Sequence, residues 1–544
     1  MAKDVPAASS LQAIFLSRMK ESDFTLKKTV MSSKKKFGAV LVSMGLVTSM
    51  AVFASTPAHA ASDTLIVGMS ADLDYLDPAK TMDNAQWKIT YPCYQRLVEY
   101  NGAKTDVVPG LAKSWTVSAD QKTYTFTLNP GNKFADGTEV TAAAVKYSFD
   151  RMMKLAAGPD ANFDQLSKVN VISTYVVEFV QKAVSPQFLY TLAGNYGGIV
   201  NPAAEAKGAD TYLASHTMGS GAYQLTEWVK GQYIKLGLNP YYKGATPALK
   251  TVIFKIVGDV TAQRLQLSKG EIDIAEGIPT DQLKDVAATS GITLVNKPSL
   301  TVDYMYINNS KGKEVLKNAT VRQAISYAID YDGLIKVAAA GYGTQMRGPI
   351  PTGMWGQNTH AYQYNYNPGR AKSLLAHAGV KNLSLDLMYS ARRPWWAVEA
   401  QFIQASAAKA GIQINLKLTD YATSRQLMFA GNFDLALGIW SPDYADPFMF
   451  MNLWFDSANF GASGNRSFYK NPVVDNLLKQ AVATTNQAKR TILYRQAQAI
   501  VIKDAAYVYM YQKNFLLPMS SSVKGYVFNP MLEQIYNLSG MSKA

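Results

Sequence analysis

Cysteine occurs once in these 544 residues, as Cys93, and histidine only four times. A single thiol excludes an internal disulfide. Beyond residue 60 the histidines are His216, His360 and His377, widely spaced, with no H-E-x-x-H run and no paired cysteines, so no zinc constellation is present. A G-x-S-x-G elbow, a P-loop and a dinucleotide-binding fingerprint are likewise missing. Ser521-Ser522-Val523-Lys524 matches S-x-x-K, but no K-T-G or S-D-N partner accompanies it. Lacking a nucleophile, base or metal set, the sequence points to a binder and away from an enzyme, and it calls for no cofactor and no metal. Charged residues are also scarce, 17% against about 25% in average soluble domains.

Apolar residues are plentiful at 48%, and aromatics reach 11% with 32 tyrosines. A chain this long exceeds what one core usually organises, so two or three lobes are expected. Tyrosine, with an apolar ring and one hydroxyl, suits sheets, domain seams and walls that grip mixed ligands. The formal charge of +14 is inflated by the N-terminus. Residues 1–60 carry eight Lys/Arg against three acidic residues, which leaves 46 basic and 37 acidic residues and a net of +9 beyond them. No basic run with interleaved aromatics survives there, so nucleic acid is excluded as the expected partner and a solvated basic surface accounts for the excess.

Met31 to Ala60 reads as a secretory signal. Lys34-Lys35-Lys36 form a charged start, Phe37–Phe53 an apolar run, and Ala58-His59-Ala60 a small-x-small cleavage pattern before Ala61. The apolar run is short for a membrane span of about 20 residues. Residues 1–30 read as an over-extended start, with Met31 as initiator. Cys93 lies too far downstream to carry a lipoprotein anchor. The expectation is a soluble, monomeric protein released into a periplasm.

Further along, Thr64–Gly68, Thr123–Leu128 and Thr251–Ile256 have strand patterns, with turns at Asn129-Pro130-Gly131-Asn132 and Ala135-Asp136-Gly137. Thr141 is placed to cap a helix through Phe149, and Gly270 to close one from Val260 to Leu267. Val321, Ile325, Ala328 and Ile329 predict one amphipathic helix over 321–334. After residue 365, strands (383–388, 412–418, 433–437) alternate with helices (368–378, 397–410, 422–429), which predicts parallel sheet. No linker separates the lobes, so strand crossovers are expected to join them as a hinge.

Several ordered blocks resemble the family 5 extracellular solute-binding proteins, the dipeptide and oligopeptide group. They are Pro109-Gly110-Leu111-Ala112-Lys113-Ser114-Trp115 with Phe134-Ala135-Asp136-Gly137, Gly219-Ser220-Gly221-Ala222-Tyr223, Asn239-Pro240-Tyr241-Tyr242, Val321-Arg322-Gln323-Ala324-Ile325, Asn367-Pro368 and Asp443-Tyr444-Ala445-Asp446-Pro447. The resemblance implies an α/β, type II periplasmic-binding-protein fold: two lobes with a hinge and an extra inserted N-terminal domain. Its lobe I would comprise 61–97, 216–305 and 508–544, the inserted domain 98–215, and lobe II 306–507. It implies the substrate-binding subunit of an ABC importer, working with a permease and ATPase complex at the inner membrane.

Burying a zwitterionic peptide requires a carboxylate for its ammonium and a guanidinium for its carboxylate. By resemblance Asp443 would take the ammonium, with Asp446 as second candidate. Arg392 and Arg393 would take the carboxylate, since a planar guanidinium fits a carboxylate bidentately. Trp395, Trp396, Trp440 and Tyr444 would wall the pocket. The doubled Arg392-Arg393 and Trp395-Trp396 departs from the dipeptide pattern. It leaves open a di- or oligopeptide, an opine-like or sugar-conjugated solute, or a metal chelate. A periplasmic chaperone-like peptide holder and a secreted hydrolase are the readings from other classes.

Overall fold

A computed structural model describes residues 62–544. The expected signal segment and its cleavage position lie outside the described residues. Eleven strands form one mixed sheet whose two halves meet at two long antiparallel strands, Ile292–Ile307 and Tyr507–Ser520. On one side run Leu435–Trp440, Ser384–Ser390 and Gln413–Thr419, with the last two parallel and Leu435–Trp440 parallel to Ser384–Ser390. On the other side run Ile274–Ala275, Thr64–Met69, Thr251–Ile256, Tyr233–Leu238 and Tyr223–Val229. Helices between the parallel strands, Trp395–Ala408 and Tyr421–Ala430, supply the crossovers such strands need.

The two long strands are the crossovers between the halves. Residues 292–298 pair with 514–520, and after slips of register between Pro298 and Val302 and between Asp303 and Tyr304 the ladder continues over 507–512. Irregular pairing of this kind bends and twists a ladder locally. Gln512 closes the gap, donating from Nε2 to the Ser299 and Thr352 carbonyls. The architecture is the α/β, two-lobed one that the sequence predicts.

A separate antiparallel sheet joins Ala112–Val117, Thr123–Leu128, Val176–Gln181 and Leu166–Ser173. Period-two patterning buries Tyr124, Phe126 and Leu128 on one face. There Phe126, Phe149 and Phe179 meet edge-on, which seats the helix Ala142–Leu155 on the sheet. Thr141 is that helix's N-cap residue, although its side chain makes no capping bond.

One predicted element is corrected. Instead of a single helix over 321–334 there are two, Ala319–Tyr327 and Tyr331–Ala338. Asp330 breaks them by accepting from the Gly333 N–H as an N-cap, a competing bond that outweighs the continuous apolar periodicity. Elsewhere the patterns hold closely: Val260–Lys269 ends at Gly270 with φ +71°, and Gly221 packs where a methyl group would overlap the Pro92 carbonyl. Asp273 ties distant parts of the chain together. Its side chain accepts from the Ile66 N–H at 2.8 Å and pairs with Lys543 at 2.9 Å, and its carbonyl accepts from the Ser520 N–H at 2.7 Å.

Candidate functional site

Strand Ser384–Ser390 lies beside Leu435–Trp440 in parallel, Leu387 opposite Leu435, so their carboxyl ends leave the sheet as neighbours. Arg392 and Arg393 follow the first end and Asp443 the second. In open α/β sheets this edge is where ligands bind, because diverging loops leave a crevice there. The register therefore sets a cationic and an anionic candidate on loops that follow neighbouring strand ends.

Beside these strand ends, Trp395 and Ile439 meet Ser70, Lys88, Glu276 and the hinge residues Ser299, Thr301 and Lys513 around a cleft of about 540 Å³. Asp443 lies on the loop that follows Leu435–Trp440, and its charge acts on the Tyr196 hydroxyl. The carboxylate remains open to water on one side, while protein crowds it on the others and pushes its pKa up to about 6. Among the described residues no side chain pairs with it. By contrast, Lys88 and Glu276 satisfy each other, with Tyr536 donating to Glu276 at 2.6 Å.

The expected wall residues are distributed unevenly. Trp395 is half-buried and borders the cleft, with the Lys513 ammonium 3.7 Å above its ring. Trp396 is buried; both indole N–H groups reach Asp303, at 3.3 and 3.4 Å. Trp440 is half-buried beside Arg393 in a smaller cavity. Arg392 is exposed and stacks on Tyr421 at 4.4 Å. Tyr444 is buried, and burial pushes its hydroxyl well above its ordinary pKa.

Asp446 is corrected. It is 0% exposed, and both its oxygens are held by Arg490 at 2.6 and 2.8 Å, with the Phe448 N–H donating at 2.9 Å. A carboxylate so fully engaged inside the core has nothing left for a solute.

Sequence reasoning missed Lys513, Glu533, Arg425 and Arg466. Lys513 pairs with buried Asp303 at 3.2 Å. Next to them Glu399 accepts from the Tyr511 hydroxyl; burial, then the Asp303 charge, push the Glu399 carboxyl well up. Glu533, at the hinge, is pushed up to about 7 by burial, partly offset by hydrogen bonds from Ser299, Leu300 and Thr301. The polar triplet Gln512-Lys513-Asn514 inside an otherwise apolar strand was a usable signal for Lys513. Nothing local marks the other three.

A sequence profile of the bacterial extracellular solute-binding proteins, family 5, matches residues 106–462. The chain belongs to that family. This family 5 solute-binding protein is 47% identical over 517 residues to a probable D,D-dipeptide-binding periplasmic protein, DdpA, of Escherichia coli, covering 93% of this chain and 99% of the relative. It is 30% identical to an Escherichia coli dipeptide-binding protein, over 92% of this chain and 97% of that one. Its fold matches the structure of HbpA2 from Haemophilus parasuis with a TM-score of 0.82 at 25% identity, over 88% of this chain and 100% of that chain. The role of this family 5 protein is that of the substrate-binding component of an ABC importer.

Proposed function

We propose that the solute is a short peptide, a dipeptide first, and that a D,D configuration is accepted. The observation that carries the reading is the pair of unsatisfied opposite charges, Asp443 and Arg393, issuing from adjacent carboxyl strand ends. Opposite charges held apart match a zwitterion and would be costly to bury without one. The ligands named for the two Escherichia coli relatives support the same chemistry.

In this reading Asp443 receives the α-ammonium, and Arg393, with Arg392 beside it, receives the carboxylate. Trp395 and Trp440 flank the chain between them. The halves close about the two long strands, burying the solute. The closed form is presented to an inner-membrane permease, with the protein working in the periplasm as a monomer and performing no chemistry on its cargo. Lobe I at 61–97, 216–305 and 508–544, the inserted domain at 98–215 and lobe II at 306–507 are the corresponding bodies.

Thermal unfolding against L,L- and D,D-dipeptides, tripeptides, longer peptides and opines tests this. A ligand at 100 times its Kd adds about 2.7 kcal/mol of stability. A dipeptide shift that disappears in Asp443→Ala supports the assignment. Shifts with opines alone would keep the importer role and overturn the peptide.

A further inference from the structure

Beneath the carboxyl ends of Ser384–Ser390 and Leu435–Trp440 lies a cavity of about 190 Å³. Arg393, Arg425 and Arg466 line it, and Tyr304 and Tyr306 form its buried floor; no Asp or Glu contributes to its walls. Among the described residues none of these three arginines forms an ion pair.

The other buried arginines are treated differently. Arg490 holds Asp446, Arg151 holds Asp77 and Asp210, Arg322 donates to the carbonyls of Leu316, Lys317 and Asp504, and Arg96 to those of Tyr91 and Tyr94. Arg466 is only 6% exposed, yet its guanidinium reaches just the Tyr306 hydroxyl at 3.3 Å and its Nε has no partner. Arg425 carries a further positive charge next to it, so that burial and the Arg466 charge together lower the Arg425 pKa. Arg466 is buried and Arg393 and Arg425 are half-buried, and like charges crowded together in this way without counter-ions oppose folding. Such a cluster is explained by an anion that arrives later.

We propose that this cavity receives the carboxylate end of the solute, with Arg425 and Arg466 acting alongside Arg393. The proposal rests on the peptide reading above and narrows it. A small, tyrosine-floored, positively charged pocket accepts one compact terminal residue with a free carboxylate. It rejects C-terminal amides and bulky terminal side chains. Planar guanidinium groups converging on one site give the bidentate geometry that a carboxylate fits.

Titration calorimetry on the wild-type protein, Arg425→Gln and Arg425→Lys would decide it, using D,D- and L,L-dialanine and their C-terminal amides. The wild type should bind the acid at least ten-fold more tightly than the amide. Arg425→Gln should lose that ten-fold while binding the amide within two-fold of wild type, and Arg425→Lys should recover part of the preference. Because Arg425 has no ion-pair partner to lose, Arg425→Gln should unfold, without ligand, no earlier than wild type. Equal binding of acid and amide by the wild type would overturn the proposal, as would an unchanged ratio in Arg425→Gln. If no peptide binds, the peptide reading fails separately. Inorganic phosphate and malonate then judge the cavity: thermal stabilisation that Arg425→Gln abolishes supports it, and none overturns it.

Discussion

Acidification offers a direct probe of Asp443. Between pH 7 and pH 5 a dipeptide keeps both charges, since its α-amino group titrates near about 8 and its carboxyl near about 3.5. The Asp443 carboxyl, held at about 6 by its surroundings, titrates inside that window. Its ionised fraction falls from roughly nine-tenths at pH 7 to roughly one-tenth at pH 5, and if only the ionised form binds the ammonium, affinity falls roughly ten-fold, about 1.4 kcal/mol. Calorimetry in buffers of different ionisation enthalpy should show roughly half a proton released per ligand bound at pH 6. Glu533, raised to about 7, borders the cleft beside Trp395 and titrates just above, so Asp443→Asn serves to separate them. The variant should bind weakly at pH 7 and lose the change between pH 6 and 5. Without ligand the sign reverses. A raised folded-state pKa favours folding at low pH, and that contribution is lost as pH rises through about 6. Asp443→Asn should therefore be more stable than wild type at pH 7. Affinity that stays flat from pH 7 to 5, or an Asn variant with an unchanged profile, would refute the role given to Asp443.

Asp446→Ala should destabilise by about 3–5 kcal/mol in urea titration, because it strands the buried Arg490 charge; a loss under about 1 kcal/mol would place Asp446 outside the core framework. Glu399→Gln should gain on wild type as pH rises from 5 to 7, by up to about 1.4 kcal/mol per pH unit, since folded wild type keeps a proton that the unfolded chain releases; parallel stability curves would contradict that. Gly221→Ala should lower the unfolding midpoint markedly, because its methyl group would overlap the Pro92 carbonyl at the end of helix Asn84–Cys93; an unchanged midpoint would show that the contact relaxes freely.

Local elements were readable because their signals are local. Thr123–Leu128 and Thr251–Ile256 alternate, Gly270 ends a helix, and Trp395–Ala408 and Tyr421–Ala430 lie within two residues of where periodicity puts them. Pairing was not readable, because register depends on residues hundreds of positions apart. Nothing near Tyr507–Ser520 announces that it runs the length of Ile292–Ile307. The site shows the same division. Asp443 and Arg393 follow strand ends that a resemblance can align, whereas Arg425 and Arg466 come together only because a helix and a loop bring them to one cavity. Asp446 was misread for a related reason, since its partner Arg490 lies 44 residues away.

The knot of bonds around Asp273 also governs the order in which the molecule can be completed. Ile66, Asp273, Ser520 and Lys543 come from the beginning, middle and end of the described chain. Strand Thr64–Met69 leaves the ribosome early, but its neighbour Ile274–Ala275 cannot be flanked by Met519 until nearly everything else has followed. One half of the sheet thus waits, open-edged, for the last residues. Such long-range closure is slow. A chain that emerges amino end first therefore stays pliable until its last residues arrive, and it gains its final rigidity only then.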